Sequence, residues 1–159
     1  MIEMVVESVR VNLINPNRVV VLKERDRDRY LAIVIGGPEA DSIAIKLQDR
    51  SAPRPLTHDL LKNVLIGLDS HVQRIVVTAI KEDTFYAVIW IQQNGRLISV
   101  DSRPSDALAL ALRIDCPILA TDEVLQKSKG PASNSDQMPN EDLKRWLDMD
   151  DEDMGKYKM

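Results

Sequence analysis

The chain has 159 residues, 44% of them hydrophobic, and its 25 acidic against 21 basic side chains leave a net charge of −4. That length suits one domain with a real core, and the acidic balance excludes nucleic-acid binding through bulk charge, so any phosphate contact must come from a local basic patch. The single cysteine, Cys116, excludes an intrachain disulfide. No apolar run nears the roughly 20 residues of a membrane span, and Met1 to Met4 lacks the pattern of a secretion signal. A cytoplasmic protein away from the membrane is expected.

In chain order, residues 2–13 alternate as a strand, with Val5, Glu7, Val9, Val11 and Leu13 on one side. Asn15-Pro16-Asn17 signals a turn. Arg18 to Lys23 reads as a second strand, Glu24 to Arg29 as a charged hairpin loop and Tyr30 to Ile35 as a third strand. Gly36-Gly37-Pro38 breaks it, and Glu39 and Asp41 in a first turn lead into a helix with Ile43, Ala44 and Leu47 inward. After a proline-containing loop, Thr57 is the expected cap of a helix bearing Leu60, Leu61, Val64, Leu65 and Leu68. A meander follows over 72–80, 84–91 and 96–101, with Asn94-Gly95 as a strong hairpin signal. Pro104 to about Ile114 is a helix apolar almost all round, hence buried on several sides. Pro117 to Ala120 is a short strand, and Thr121 or Asp122 caps a last helix.

The expected class is α+β: a mixed sheet from two β-β-β-α-like halves with packed helices. The halves share a faint repeat, Ile43-Ala44-Ile45 against Leu108-Ala109-Leu110, which registers Asp41 with Asp106. Residues 1–130 form the expected domain. Residues 131–159 read as a linker, a short helix with Leu143, Trp146 and Leu147 on one side, and a disordered tail holding Asp148, Asp150, Asp151, Glu152 and Asp153.

Chemistry concentrates at two proline-headed helix starts, where free backbone N–H groups favour anions. In the first, His58 can serve as base, acid or metal ligand near neutral pH. Asp59 is its neighbour, but successive helical side chains point about 100° apart. Both also suit a plain helix start. In the second, Asp101 ends a strand and Asp106 begins a helix, so both could face one crevice and hold a divalent ion such as Mg or Mn, or orient water. Arg103 offers a planar fork for phosphate and Ser105 a further donor. A helix cap accounts for most of these residues, but not for Arg103, a cation at the positive end of a helix. Glu39 and Asp41 are the matching acids of the first half. Arg50 and Arg54 are better phosphate candidates than Arg25, Arg27 and Arg29, which alternate with Asp26 and Asp28. There is no Walker loop, dinucleotide-binding fingerprint, His-Glu-x-x-His or Cys/His zinc spacing. Aromatic residues, at 4%, are too few for base-stacking platforms.

The run Pro53-Arg54-Pro55-Leu56-Thr57-His58-Asp59-Leu60-Leu61 and the run Val100-Asp101-Ser102-Arg103-Pro104-Ser105-Asp106-Ala107-Leu108-Ala109-Leu110 closely resemble the bifunctional nuclease domain family. The Arg29-Tyr30-Leu31 stretch, Ile35-Gly36, Glu39-Ala40 and Thr84-Phe85-Tyr86-Ala87 fit it too. The resemblance covers roughly residues 1–130. It implies a compact mixed α and β domain that self-associates as a dimer or higher oligomer, and nuclease activity on RNA and DNA. It carries no settled catalytic assignment. The expected site is therefore His58, Asp59, Asp101 and Asp106 for catalysis, Arg54, Arg103 and Ser105 for substrate, and Asp101, Asp106 and Glu39 for an ion. The competing class is a non-catalytic, self-associating module that binds a protein partner or an anionic ligand.

Overall fold

The computed structural model of the chain describes residues 1–11 and 17–128. The elements come in the expected order: β1 (Ile2–Val11), β2 (Arg18–Glu24), β3 (Tyr30–Ile35), α1 (Gly37–Leu47), α2 (Thr57–Gly67), β4 (His71–Lys81), β5 (Thr84–Gln93), β6 (Arg96–Ser102), α3 (Pro104–Ile114), β7 (Ile118–Ala120) and α4 (Asp122–Lys127). Most of the Asn15-Pro16-Asn17 turn, the linker, the helix expected around Leu143 to Leu147 and the acidic tail lie outside the described residues.

The strands form one seven-stranded sheet in the order β3-β2-β1-β7-β4-β5-β6. Two antiparallel meanders, β1-β2-β3 and β4-β5-β6, are the halves of the sheet. The short β7 joins them, antiparallel to β1 and parallel to β4. β1 and β4 therefore run in opposite directions, as a twofold axis through β7 requires. The hairpin turns show their chemistry: Glu82 and Asp83 have φ of 50° and 62°, Asn94 and Gly95 of 50° and 74°. Two successive left-handed residues make the primed turn whose twist matches the strands.

Each meander feeds a helix, and α1 and α3 pack against each other and against the sheet. Their inner faces are small and apolar: Ala40, Ile43 and Ala44 on α1, and Ala107 through Ala111 on α3, are all buried. The alanines let the helices approach closely, while each buried leucine contributes about 1.5–3 kcal/mol. The cap of α1 is Gly36 and that of α3 is Arg103. Counted from these caps, Glu39 and Asp106 are both third residues, Ser42 is equivalent to Ala109, and Lys46 to Arg113. The register is two residues off the pairing of Asp41 with Asp106. The reason is that Leu108-Ala109-Leu110-Ala111-Leu112 repeats every second residue, so a slip of two costs the sequence match nothing.

One further expectation changes. Leu56, not Thr57, caps α2, and Thr57 is the first helical residue. The cap works through Asp59, whose Oδ2 accepts the Leu56 N–H at 2.9 Å. The leucine face of α2 is also largely unburied: Leu60, Leu61, Val64 and Leu68 are exposed, and Leu65 packs partly against the core. Among the described residues no helix is long and apolar enough to cross a membrane.

Candidate active site at three helix starts

The start of α3, the start of α2 and the first two turns of α1 meet. His58, only 7% exposed, lies between them. Its Nε2 is 2.9 Å from Asp106 Oδ1, and its Nδ1 is 2.6 Å from Ser42 Oγ. Both contacts are satisfied when Nε2–H donates to the carboxylate and Nδ1 accepts from the serine hydroxyl. The other oxygen, Asp106 Oδ2, accepts from Arg103 Nε at 3.1 Å and Nη2 at 2.9 Å. The same Nη2 donates to Glu39 Oε1 at 2.9 Å. The guanidinium thus bridges the two equivalent third-residue acids of α1 and α3. This is the partner that Arg103 needs at the positive end of a helix. Hydrogen bonding to Asp106, then the charges of Asp106 and Glu39, raise its pKa above the usual arginine value.

Local sequence explains the arrangement. Pro104 fixes the turn into α3 and puts Arg103 outside the first turn. Gly36 leaves room on the other side, since a Cβ there would stand 2.5 Å from Glu39 Oε2. The Arg103 side chain is 69% exposed and its Nη1 makes none of these contacts, so it faces water with donors to spare.

Asp59 turns the other way. Its Oδ1 accepts from Arg113 Nε at 2.7 Å, and the Arg113 side chain is 1% exposed. Arg113 also donates from Nη1 to Ala109 O at 2.9 Å and from Nη2 to Ser42 O at 3.2 Å. Burial pushes the Asp59 carboxyl upward, but the Leu56 N–H, Arg113 and Lys46 outweigh it and hold the pKa below its usual value. Arg54 lies with Asp59 and Arg113 on the wall of a cavity whose lining does not include Arg103.

The remaining expected residues stand apart. Asp101 is exposed on β6, where it pairs with Val88, and its side chain makes no hydrogen bond or ion pair among the described residues. Ser105 is buried within the first turn of α3. The acids that do converge are Asp106 and Glu39, and the Arg103 guanidinium stands where a cation between them would sit. Among the described residues no group of three or more His, Cys, Asp or Glu side chains is arranged to hold a metal ion. Asp106 and Glu39 are both paired with Arg103, and Asp101 shares no ion pair or side-chain hydrogen bond with either. Sequence reasoning missed Ser42 and Arg113. The one signal for each was a polar residue breaking an apolar helical face.

Residues 20–133 match the bifunctional nuclease domain family. Two Mycobacterium tuberculosis strains hold a similar protein, named only as uncharacterised, 38% identical over 126 residues, which are 79% of this chain and 75% of that one. A protein named bifunctional nuclease 1 from Oryza sativa subsp. indica and one named bifunctional nuclease from Oryza minuta are 27% identical over 107 residues. That stretch is 65% of this chain but 32% of the rice proteins. With the family match spanning most of the described fold, including all three helix starts, the chain belongs to the bifunctional nuclease domain family.

Proposed function

We propose that the domain hydrolyses phosphodiester bonds of RNA or DNA at the Arg103–Asp106–His58 network. The carrying observation is an exposed guanidinium fork held by two carboxylates, one of them backed by a buried histidine. In this reading Arg103 Nη1 donates to a phosphate oxygen and offsets charge building up on phosphorus. Asp106 accepts the proton of a water whose oxygen bonds to phosphorus. The phosphorus–oxygen bond to the leaving sugar breaks, and the leaving oxygen takes its proton from solvent. His58 is the positioning residue that fixes the Asp106 carboxylate, and Ser42 fixes the imidazole. No step runs through an ion. The relatives named as nucleases support this substrate class.

Self-association is part of the proposal. Val64 at 47% and Leu68 at 59% exposure belong to a helix face with no partner among the described residues, and Leu97, Ile98 and Val100 are exposed on the edge strand β6. An exposed apolar edge is a template for a second copy. A cytoplasmic setting agrees with the lone Cys116, whose thiol burial pushes up to about 11.

One observation favours the second reading, a non-catalytic binding module: both ring nitrogens of His58 and both oxygens of Asp106 already have partners. Cleavage of a labelled oligonucleotide decides between the two. The hydrolytic reading expects cleavage by the wild-type chain, retained in EDTA, and a loss of about 100-fold or more in Asp106→Ala. Binding without cleavage supports the module. Cleavage abolished by EDTA means that an ion replaces Arg103 between the acids.

A further inference from the structure

The cavity beside Asp59 has about 270 Å³ and is lined by Ile45, Lys46, Arg50, Arg54, Asp59 and Arg113, with the rest of the 51–55 loop along its wall. Four of these are cations and one is an acid. The acid is already spent: Asp59 Oδ1 is held by Arg113 and Oδ2 by the Leu56 N–H. Arg113 is spent too, on Asp59 and two backbone carbonyls. Lys46 and Arg54 have no ion pair among the described residues; Lys46 acts on Asp59 only through its charge, and with four cations against that single carboxylate the cavity keeps a net positive charge. Pro53 and Pro55 stiffen the loop that carries Arg54, which lowers the entropy cost of holding a ligand there. The volume lies just below the usual range of about 300–1,000 Å³ for small-molecule sites, room for a phosphate and part of a sugar.

The cavity adjoins the network around His58. His58 and Asp59 are successive residues of α2 and face one each. On α1, Glu39 and Ser42 serve the network while Ile45 and Lys46 line the cavity. Glu39 and Lys46 are separated by about 10 Å along the helix axis, a distance that a strand covers in two or three nucleotides.

We infer that this cavity is a phosphate subsite, in which Lys46 and Arg54 grip a backbone phosphate of the same nucleic-acid strand, two or three nucleotides from the one at Arg103. The inference rests on the hydrolytic reading for its substrate, but its test does not depend on cleavage. The subsite also explains how an acidic chain holds nucleic acid, since an excess of cations over carboxylates in a concave site binds phosphate where bulk charge repels it.

The probe is a fluorescent single-stranded 12-mer, with affinity read by anisotropy across a salt series and strand integrity checked on a gel. Lys46→Ala/Arg54→Ala is expected to weaken binding about 10-fold and to flatten the log–log salt slope by about 0.7 for each phosphate no longer gripped. Arg27→Ala/Arg96→Ala removes the same charge from exposed sites elsewhere and is expected to change neither. Inorganic phosphate is titrated separately, with backbone amide shifts expected at Lys46, Arg54 and Asp59 and reversed by unlabelled 12-mer. Unchanged affinity and slope in the cavity variant overturn the inference, even where the wild type cleaves. Phosphate-induced shifts that the 12-mer does not reverse also overturn it, since they assign the cavity to a free anion. Binding that depends on Lys46 and Arg54, with no cleavage under any condition, upholds the subsite while the hydrolytic reading fails.

Discussion

Helices α1 and α3 hold equivalent places in the two halves of the sheet, yet they carry different loads. Both pack through buried alanines and branched or long apolar residues, and both present an acid at the third position. α1 is capped by glycine and carries Ser42, where α3 is capped by arginine and carries Ala109. One half therefore supplies the cation at the site and the other the room for it. Lys46 and Arg113 also diverge: the lysine has no ion pair among the described residues, while the arginine is buried and ties all three helices together. A near-symmetric frame became an asymmetric site through polar changes at a few equivalent positions, with the apolar packing kept.

Breaking the Lys46–Arg113 equivalence has the largest expected effect. Arg113→Ala leaves Asp59 without its partner and unties Ser42 O, and is expected to cost about 3–5 kcal/mol in urea unfolding. Lys46→Ala is expected to stay within about 0.5 kcal/mol. In oligonucleotide cleavage, His58→Ala, which frees the Asp106 carboxylate, is expected to lose between about 10- and 100-fold. Ser42→Ala, which makes α1 resemble α3 at that point, is expected to lose about 10-fold for roughly 1 kcal/mol of stability. Gly36→Ala sets a methyl against Glu39 Oε2 and makes the end of that side chain shift, at about 1 kcal/mol or less in a thermal melt. The smallest effect concerns pH. The Asp59 carboxyl is held below its usual 3.8, so its contribution is present above that pH and is lost as pH falls through the depressed value. Asp59→Asn is expected to remove that part of the acid unfolding slope, on top of the pH-independent loss that follows from leaving buried Arg113 without its carboxylate.

Much of the frame was legible because it rests on local periodicity. The strands alternate, Asn94-Gly95 turns, and the all-round apolar stretch after Pro104 could only be a buried helix. The leucines of α2 marked a helix but not its surroundings, since a helical stripe says that a face is apolar but not what covers it. The site was half legible. His58, Arg103 and Asp106 stood out as charged residues at proline-headed starts. Asp101 ends a strand just before the helix that Asp106 begins, which suggests a shared crevice, but β6 is an edge strand exposed along most of its length and leaves Asp101 exposed with it. Ser42 and Arg113 gain their meaning from residues 16 and 54 positions away, pairings that no local pattern encodes.

Asp106→Asn tests the central claim most directly. The amide keeps the size of the side chain and a carbonyl oxygen for His58 or Arg103, but it cannot take a proton from water. The account predicts a folded variant with a melting temperature within a few degrees of wild type and cleavage of a labelled oligonucleotide reduced about 100-fold or more. A folded Asp106→Asn chain that cleaves at the wild-type rate would contradict it.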